Sequence, residues 1–179
     1  MHIKLKYFTL SALFIALGVL IPFIFHGLLL GPVFLPMFWP VALAPFFLPR
    51  PFALAVALIT PVVSFLFTAM PPLSPPILPV MVFELLFLAG SISILYFRSR
   101  LGIFWIVLGG LIISRVMLFL SSGLMAPYIG LPPKMVSLFY ISRSLPGVVI
   151  MLIFIPLLVD RLKHESVFTC RPLHVHSAP

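Results

Sequence analysis

The sequence predicts an all-α membrane protein with six transmembrane helices and both termini in the cytoplasm. Apolar residues make up 63% of the 179-residue chain and charged residues only 8%, whereas a soluble domain carries about 25% charged residues. Apolar runs close to the roughly 20 residues that a helix needs to cross a bilayer recur along the whole length. Basic residues concentrate in alternate connectors between these runs. No room is left for a second, soluble domain.

The six predicted helices follow the apolar runs, with prolines at many of their boundaries. Helices are expected because a chain in lipid must satisfy its own backbone hydrogen bonds, and strands of a barrel would alternate apolar and polar residues. Pro36, Pro40 and Pro45 lie inside the second segment, so we expect that helix to be kinked or partly unwound against protein or a cavity. The segments are residues 7–26, 32–48, 51–70, 79–97, 102–125 and 135–159.

The distribution of Lys and Arg predicts the topology. Eight of the eleven lie before the first segment, after the sixth, or in the second–third and fourth–fifth connectors. The other connectors hold only Lys134, and Arg115 and Arg143 lie inside helices. The positive-inside rule puts the side with eight basic residues in the cytoplasm. We interpret the first segment as a retained helix because it lacks the A-x-A cleavage pattern of a signal peptide.

Residues 1–163 are interpreted as one six-helix domain, and the polar segment 164–179 as a disordered cytoplasmic tail. The basic residues flank membrane segments, so the net charge of +8 indicates contact with membrane lipid and no nucleic-acid partner. The chain has neither a P-loop motif nor H-E-x-x-H. We expect no cofactor and no metal, because Cys170, His174 and His176 in the tail lack a fourth ligand.

Three charged side chains inside apolar segments are the best candidates for a functional site. A charge in mid-membrane costs about 2.5–3.5 kcal/mol on insertion scales and usually serves a pathway, a relay or a ligand. At 1.5 Å per residue, Glu84, Arg115 and Arg143 lie roughly 8, 15 and 12 Å below the outer ends of their helices. They could converge on one outward-facing cavity for an anionic or strongly accepting ligand. The alternative is an ion-pair network that only locks three helices together.

Aromatic side chains crowd the same end of the predicted bundle. Trp39 and Tyr140 are the better candidates for ligand contacts, because each combines a flat ring with a polar group. His26, at the outer end of the first helix, is a further candidate. The alternative for all three is an aromatic belt at the membrane interface, which many membrane proteins have.

Several local patterns resemble the S component of an energy-coupling factor (ECF) vitamin transporter. Ala12 and Ala16 match the A-x-x-x-A pattern that such proteins carry on helix one. Residues 31–40 (GPVFLPMFWP) resemble the start of helix two in one branch of the family. The order of residues 60–61 (TP), 70–72 (MPP) and 83–85 (FEL) resembles the third-to-fourth helix region of that branch. Phe38 departs from it, because a polar residue, often His, is expected there.

The resemblance implies a substrate-binding subunit, not an enzyme, in the plasma membrane of a prokaryote. It implies that the chain captures a small water-soluble vitamin or precursor from outside, with an α-ribazole-like compound ranked first. Ala12 and Ala16 would dock the ECF transmembrane coupling subunit, and two ATPase subunits would drive uptake. One alternative is an intramembrane enzyme with Ser91 near Glu84. Another is a facilitator or assembly protein that works without such partners.

Overall fold

The computed structural model describes residues 2–27, 34–69, 71, 77–129 and 144–162, and within these ranges every regular element is an α-helix. The predicted all-helical fold is therefore confirmed for the described part of the chain. The six helices are α1 (His2–Gly27), α2 (Phe38–Phe47), α3 (Arg50–Thr68), α4 (Ile77–Arg98), α5 (Ile103–Ile129) and α6 (Leu145–Leu162).

Five of these helices are long and apolar enough to cross a membrane, and α2 is the exception. Its ten residues extend about 15 Å at 1.5 Å per residue, which is half of a typical 30 Å hydrocarbon core. The second predicted segment, 32–48, therefore contains a shorter helix than expected. The structure shows five helices of spanning length among the described residues where the sequence predicts six.

The chain enters α2 through a tight turn that explains the late start of the helix. Leu35 has a positive φ of 49°, which is uncommon for a residue other than glycine. Pro36 follows it and restricts the backbone further. The Phe38 amide donates to the Leu35 carbonyl over 2.9 Å, and the Trp39 indole Nε1 donates to the Phe34 carbonyl, also over 2.9 Å. These bonds hold the turn together and fix the first residues of α2.

Helix α2 lies at the centre of the bundle. Nine of its ten residues are buried, and it packs against α1, α3, α4 and α6. A helix that is apolar on every face is stable only when protein or lipid covers every face. Here the neighbouring helices provide that cover.

Ring contacts give the direction of the first three helices. Tyr7 near the start of α1 lies 5.7 Å from Phe52 near the start of α3, measured between ring centroids. Phe14 stacks on Phe47 at the end of α2. Helix α1 therefore runs away from the end of the bundle where it begins, and the segment that contains α2 runs back toward that end. Helix α3 then runs away from it again, parallel to α1.

The same kind of contact places the remaining helix ends. Tyr96 near the end of α4 meets Phe46 of α2 edge-on at 5.0 Å, and Tyr96 and Asp160 line one cavity. The start of α3, the α4–α5 connector and the end of α6 therefore lie at one end of the bundle, which we call the basic end. Its described Lys and Arg residues are Lys4, Lys6, Arg50, Arg98, Arg100 and Arg161. This grouping is the one that the positive-inside pattern predicts.

Candidate functional site

The centre of the candidate site is an ion pair between α4 and α5. Arg115 Nη1 lies 2.8 Å from Glu84 Oε1. Glu84 is seven residues, about 10 Å, from the start of α4, and Arg115 is twelve residues, about 18 Å, from the start of α5. The two helices run antiparallel and pack extensively. The structure thus brings together two of the three charged residues that the sequence singles out.

Both partners are shielded from the surroundings of the bundle. The side chains of Arg115 and Glu84 are 13% and 6% exposed. Glu84 projects from the buried face of α4, one turn before Leu88 and one turn after Val80. Pairing makes the site neutral, and a buried charge without a partner would be far more costly than the pair.

Phe38 of α2 completes the surroundings of the guanidinium. The Arg115 Cζ atom lies over the Phe38 ring, 5.2 Å from its centroid, within the range of a cation–π interaction. Three helices, α2, α4 and α5, therefore meet at this point. From the sequence, Phe38 stands out only as a departure from the polar residue expected there. One feature of the sequence could have pointed to its contact with Arg115: Phe38 is an aromatic residue at the start of a helix that is apolar on every face.

Part of the Arg115 guanidinium has no protein partner among the described residues. Its Nε and Nη2 atoms are buried and have no hydrogen-bond acceptor within that part of the chain. The neighbouring Ser114 hydroxyl donates to the Leu111 carbonyl at 2.9 Å, within its own helix. A planar guanidinium with free N–H groups is suited to a carboxylate, a phosphate or a carbonyl oxygen.

The other predicted ligand contacts fall into two groups. Trp39 lies beside Phe38 in the chain, but its indole N–H bonds the Phe34 carbonyl and its ring packs on Phe154 of α6 at 5.4 Å. Its polar group therefore holds the turn before α2. His26 belongs to α1, but its side chain lies outside the described residues, as do Tyr140 and Arg143 entirely. Their convergence on the ion pair stays a prediction.

The residues predicted for partner docking lie on the surface of α1. Ala12 and Ala16 are both exposed, one turn apart on one face of the helix. Ser91, the nucleophile considered for an enzyme, lies seven residues from Glu84 along α4, about 10 Å. Its hydroxyl donates to the Phe87 carbonyl over 2.6 Å. Among the described residues, no cluster of three His, Cys, Asp or Glu side chains could hold a metal ion.

Comparison of the chain with protein-family models, with curated proteins and with solved structures finds no match. The resemblance to ECF S components therefore rests on the sequence patterns alone.

Proposed function

We propose that this chain is a membrane-embedded binding subunit for a small ligand with an anionic or strongly accepting group. One observation carries the proposal: Arg115 keeps two buried nitrogen atoms, Nε and Nη2, without an acceptor in the described part of the chain. A buried donor without a partner costs about 1–3 kcal/mol, and more when it is charged. A ligand oxygen at this position would remove that cost.

A purely structural ion pair is supported less well by the same atoms. A pair that only joins helices is most stable when every donor of the guanidinium is satisfied by the protein. Here Nη1 of the guanidinium pairs with Glu84, whereas its Nε and Nη2 atoms have no hydrogen-bond acceptor among the described residues. Glu84 then serves to neutralise and orient Arg115, while the free edge and the Phe38 ring face the ligand.

The finer proposal is that the chain is the S component of an ECF-type importer for a vitamin or vitamin precursor. Support comes from the combined order of motifs in residues 12–16, 31–40 and 60–85. The chain has no P-loop motif, so ATP-driven uptake would require separate ATPase subunits and a coupling subunit in the plasma membrane. The exposed pair Ala12 and Ala16 would let a partner helix approach α1 closely.

Native mass spectrometry of the detergent-purified protein, followed by denaturing extraction, tests ligand binding. We expect a small acidic or phosphorylated compound to remain bound to the wild-type protein. The double variant Glu84→Gln/Arg115→Gln should lose it, because the variant removes the guanidinium and its charge without leaving an unpaired carboxylate. The matched control Arg50→Gln removes a cation from the basic end and should retain the ligand. Retention of the ligand by the double variant as well as by the control contradicts the proposal. The proposal is also contradicted if the wild-type protein retains no compound and binds nothing in a vitamin panel.

Affinity purification from native membranes tests the importer assignment. We expect two ATPase subunits, identified by their P-loop peptides, and one transmembrane subunit to accompany the wild-type chain. Ala12→Leu/Ala16→Leu should reduce their recovery, because larger side chains prevent close helix approach. Val116→Leu on the exposed face of α5 is the control. If the purified chain alone carries out full ligand uptake into vesicles, the result would favour a facilitator instead.

A further inference from the structure

The two guanidinium nitrogens of Arg115 that lack an acceptor form one edge of the group. Nε and Nη2 are both buried and have no hydrogen-bond acceptor among the described residues. Their N–H bonds along this edge are parallel, because the guanidinium is planar and rigid. Nη1, on the other side of the group, pairs with Glu84 at 2.8 Å. Two parallel donors match the two oxygens of a carboxylate, so the edge is suited to that group.

The ion pair is distant from every other charge that the structure describes. On α4 the next charged residue is Arg98, fourteen residues or about 21 Å from Glu84. Helix α2 has no titratable residue, and Arg115 is the one such residue among the described side chains of α5. The titratable side chains described for α1, α3 and α6 all lie at the basic end. Within the described part of the chain, no further cation faces the pair.

The charge of the pair limits how an anion can bind there. Glu84 and Arg115 together are neutral, so a bound carboxylate would change the charge of the site to −1. Their side chains are only 6% and 13% exposed, so water does little to stabilise an excess charge. Two carboxylates that share one site do not both stay ionised, because their like charges repel. One proton for each bound carboxylate restores neutrality.

We infer that the Arg115 site binds a monocarboxylate together with one proton. The proton comes from water and adds to an oxygen of one of two carboxyl groups, that of the ligand or that of Glu84, and no bond of the ligand breaks. This inference rests on the proposed binding function and adds to it the class of ligand and its coupling to protons. A dianion such as a phosphate monoester would need two protons and is disfavoured. Because binding consumes a proton, affinity falls as the pH rises.

Proton uptake in weakly buffered detergent solution at pH 8, followed with a pH electrode, tests this inference. The probe is benzoate, which joins one carboxylate to a flat ring, and neutral benzamide is its matched control. Equilibrium dialysis of radiolabelled benzoate gives the amount bound. We expect about one proton to be taken up for each benzoate bound, and none with benzamide. The affinity for benzoate should fall about tenfold between pH 7.5 and pH 8.5, as the uptake of one proton requires.

Two results with the wild-type protein overturn the inference. The first is that benzoate does not bind at any pH. The second is that benzoate binds without proton uptake and with an affinity independent of pH. That second result would assign the balancing charge to a cation outside the described residues, such as Arg143. It would leave the binding function intact, whereas the absence of any retained compound or vitamin binding contradicts the function itself.

A variant and a competitor make the test specific. In Glu84→Gln the amide carries no charge, so benzoate neutralises Arg115 and should bind without proton uptake. Arg50→Gln, at the basic end, should keep the uptake of one proton. Unchanged uptake in Glu84→Gln overturns the assignment to this site, and the wild-type measurement does not depend on this variant folding. Phenyl phosphate, a dianion at pH 8, should compete for the site at least tenfold less well than benzoate. Stronger competition overturns the monocarboxylate class.

Discussion

The Glu84–Arg115 pair is the residue-scale feature on which both the stability and the proposed function depend. Removing one partner of a buried pair leaves an uncompensated charge, which costs about 3–5 kcal/mol. We therefore expect Glu84→Gln and Arg115→Gln each to lower the free energy of unfolding by about this amount. The double variant should lose less than the sum of the two, because it contains no charge. Denaturant unfolding in mixed micelles measures all three.

An additive double variant would contradict the pairing, since residues that interact give a coupling energy and independent residues do not. Arg98→Gln is the matched control for Arg115→Gln. It changes the same chemical group at an exposed position of the basic end, where the substitution should be nearly neutral.

Phe38 adds a second residue-scale prediction. A cation–π contact is worth about 2 kcal/mol when it is desolvated. Phe38→Leu keeps an apolar side chain but removes the ring under Arg115. The substitution should therefore lower the free energy of unfolding more when it is made in the wild-type protein than when it is made in the Arg115→Gln variant. The difference, measured by the same unfolding experiment, reports the contact separately from packing. Equal losses in both backgrounds would show that Phe38 only fills space.

At the scale of helices, the contact of α1 with α3 depends on one glycine. A Cβ atom built on Gly18 would overlap the Cγ2 methyl of Thr60. Thr60 is fully buried, and its hydroxyl donates to the Val56 carbonyl over 2.7 Å, so it cannot easily move. We expect Gly18→Ala to destabilise the bundle by about 1–3 kcal/mol, the usual cost of overpacking. Thermal unfolding in detergent measures the loss.

Two further variants make this prediction specific. Gly18→Ala/Thr60→Ser removes the overlapping methyl and should recover most of the lost stability. Gly90→Ala on α4 is the control, because its added Cβ would meet only Leu54 Cδ2 at 3.7 Å, an ordinary contact. Alanine favours a helix by about 1 kcal/mol over glycine, so Gly90→Ala should be neutral or stabilising. A destabilising Gly90→Ala of equal size would mean that glycine at Gly18 has no special packing role.

Helix α2 shows how far the sequence determines an element. Its prolines predict an interrupted helix, and the structure has one of ten residues that begins after Pro36. Its length and central position could not be predicted, because an apolar run without periodicity is equally suited to lipid and to the interior of a bundle. The contacts of α2 with four neighbouring helices decide between these environments.

At the scale of the whole molecule, the basic end predicts orientation in the membrane. Six of the seven Lys and Arg residues that the structure describes lie at that end, so we expect it to face the cytoplasm. In a Cys170→Ser background, Arg100→Cys should react with an impermeant thiol reagent only after membranes are opened. Ala69→Cys, past the far end of α3 and exposed, should react in intact cells. The reverse pattern, or labelling of both from outside, would contradict the topology.

The apolar composition, the recurrence of long apolar runs and the placement of basic residues determine a helical membrane protein, since lipid forces the backbone to bond within each segment. The cost of burying charge also identifies Glu84 and Arg115 as important. Only the tertiary structure decides that these two meet each other, that Phe38 lies under the guanidinium, and that the Trp39 indole holds a turn. The reason is physical: a partner across two helices depends on their rotation and relative height, which packing among all the helices sets.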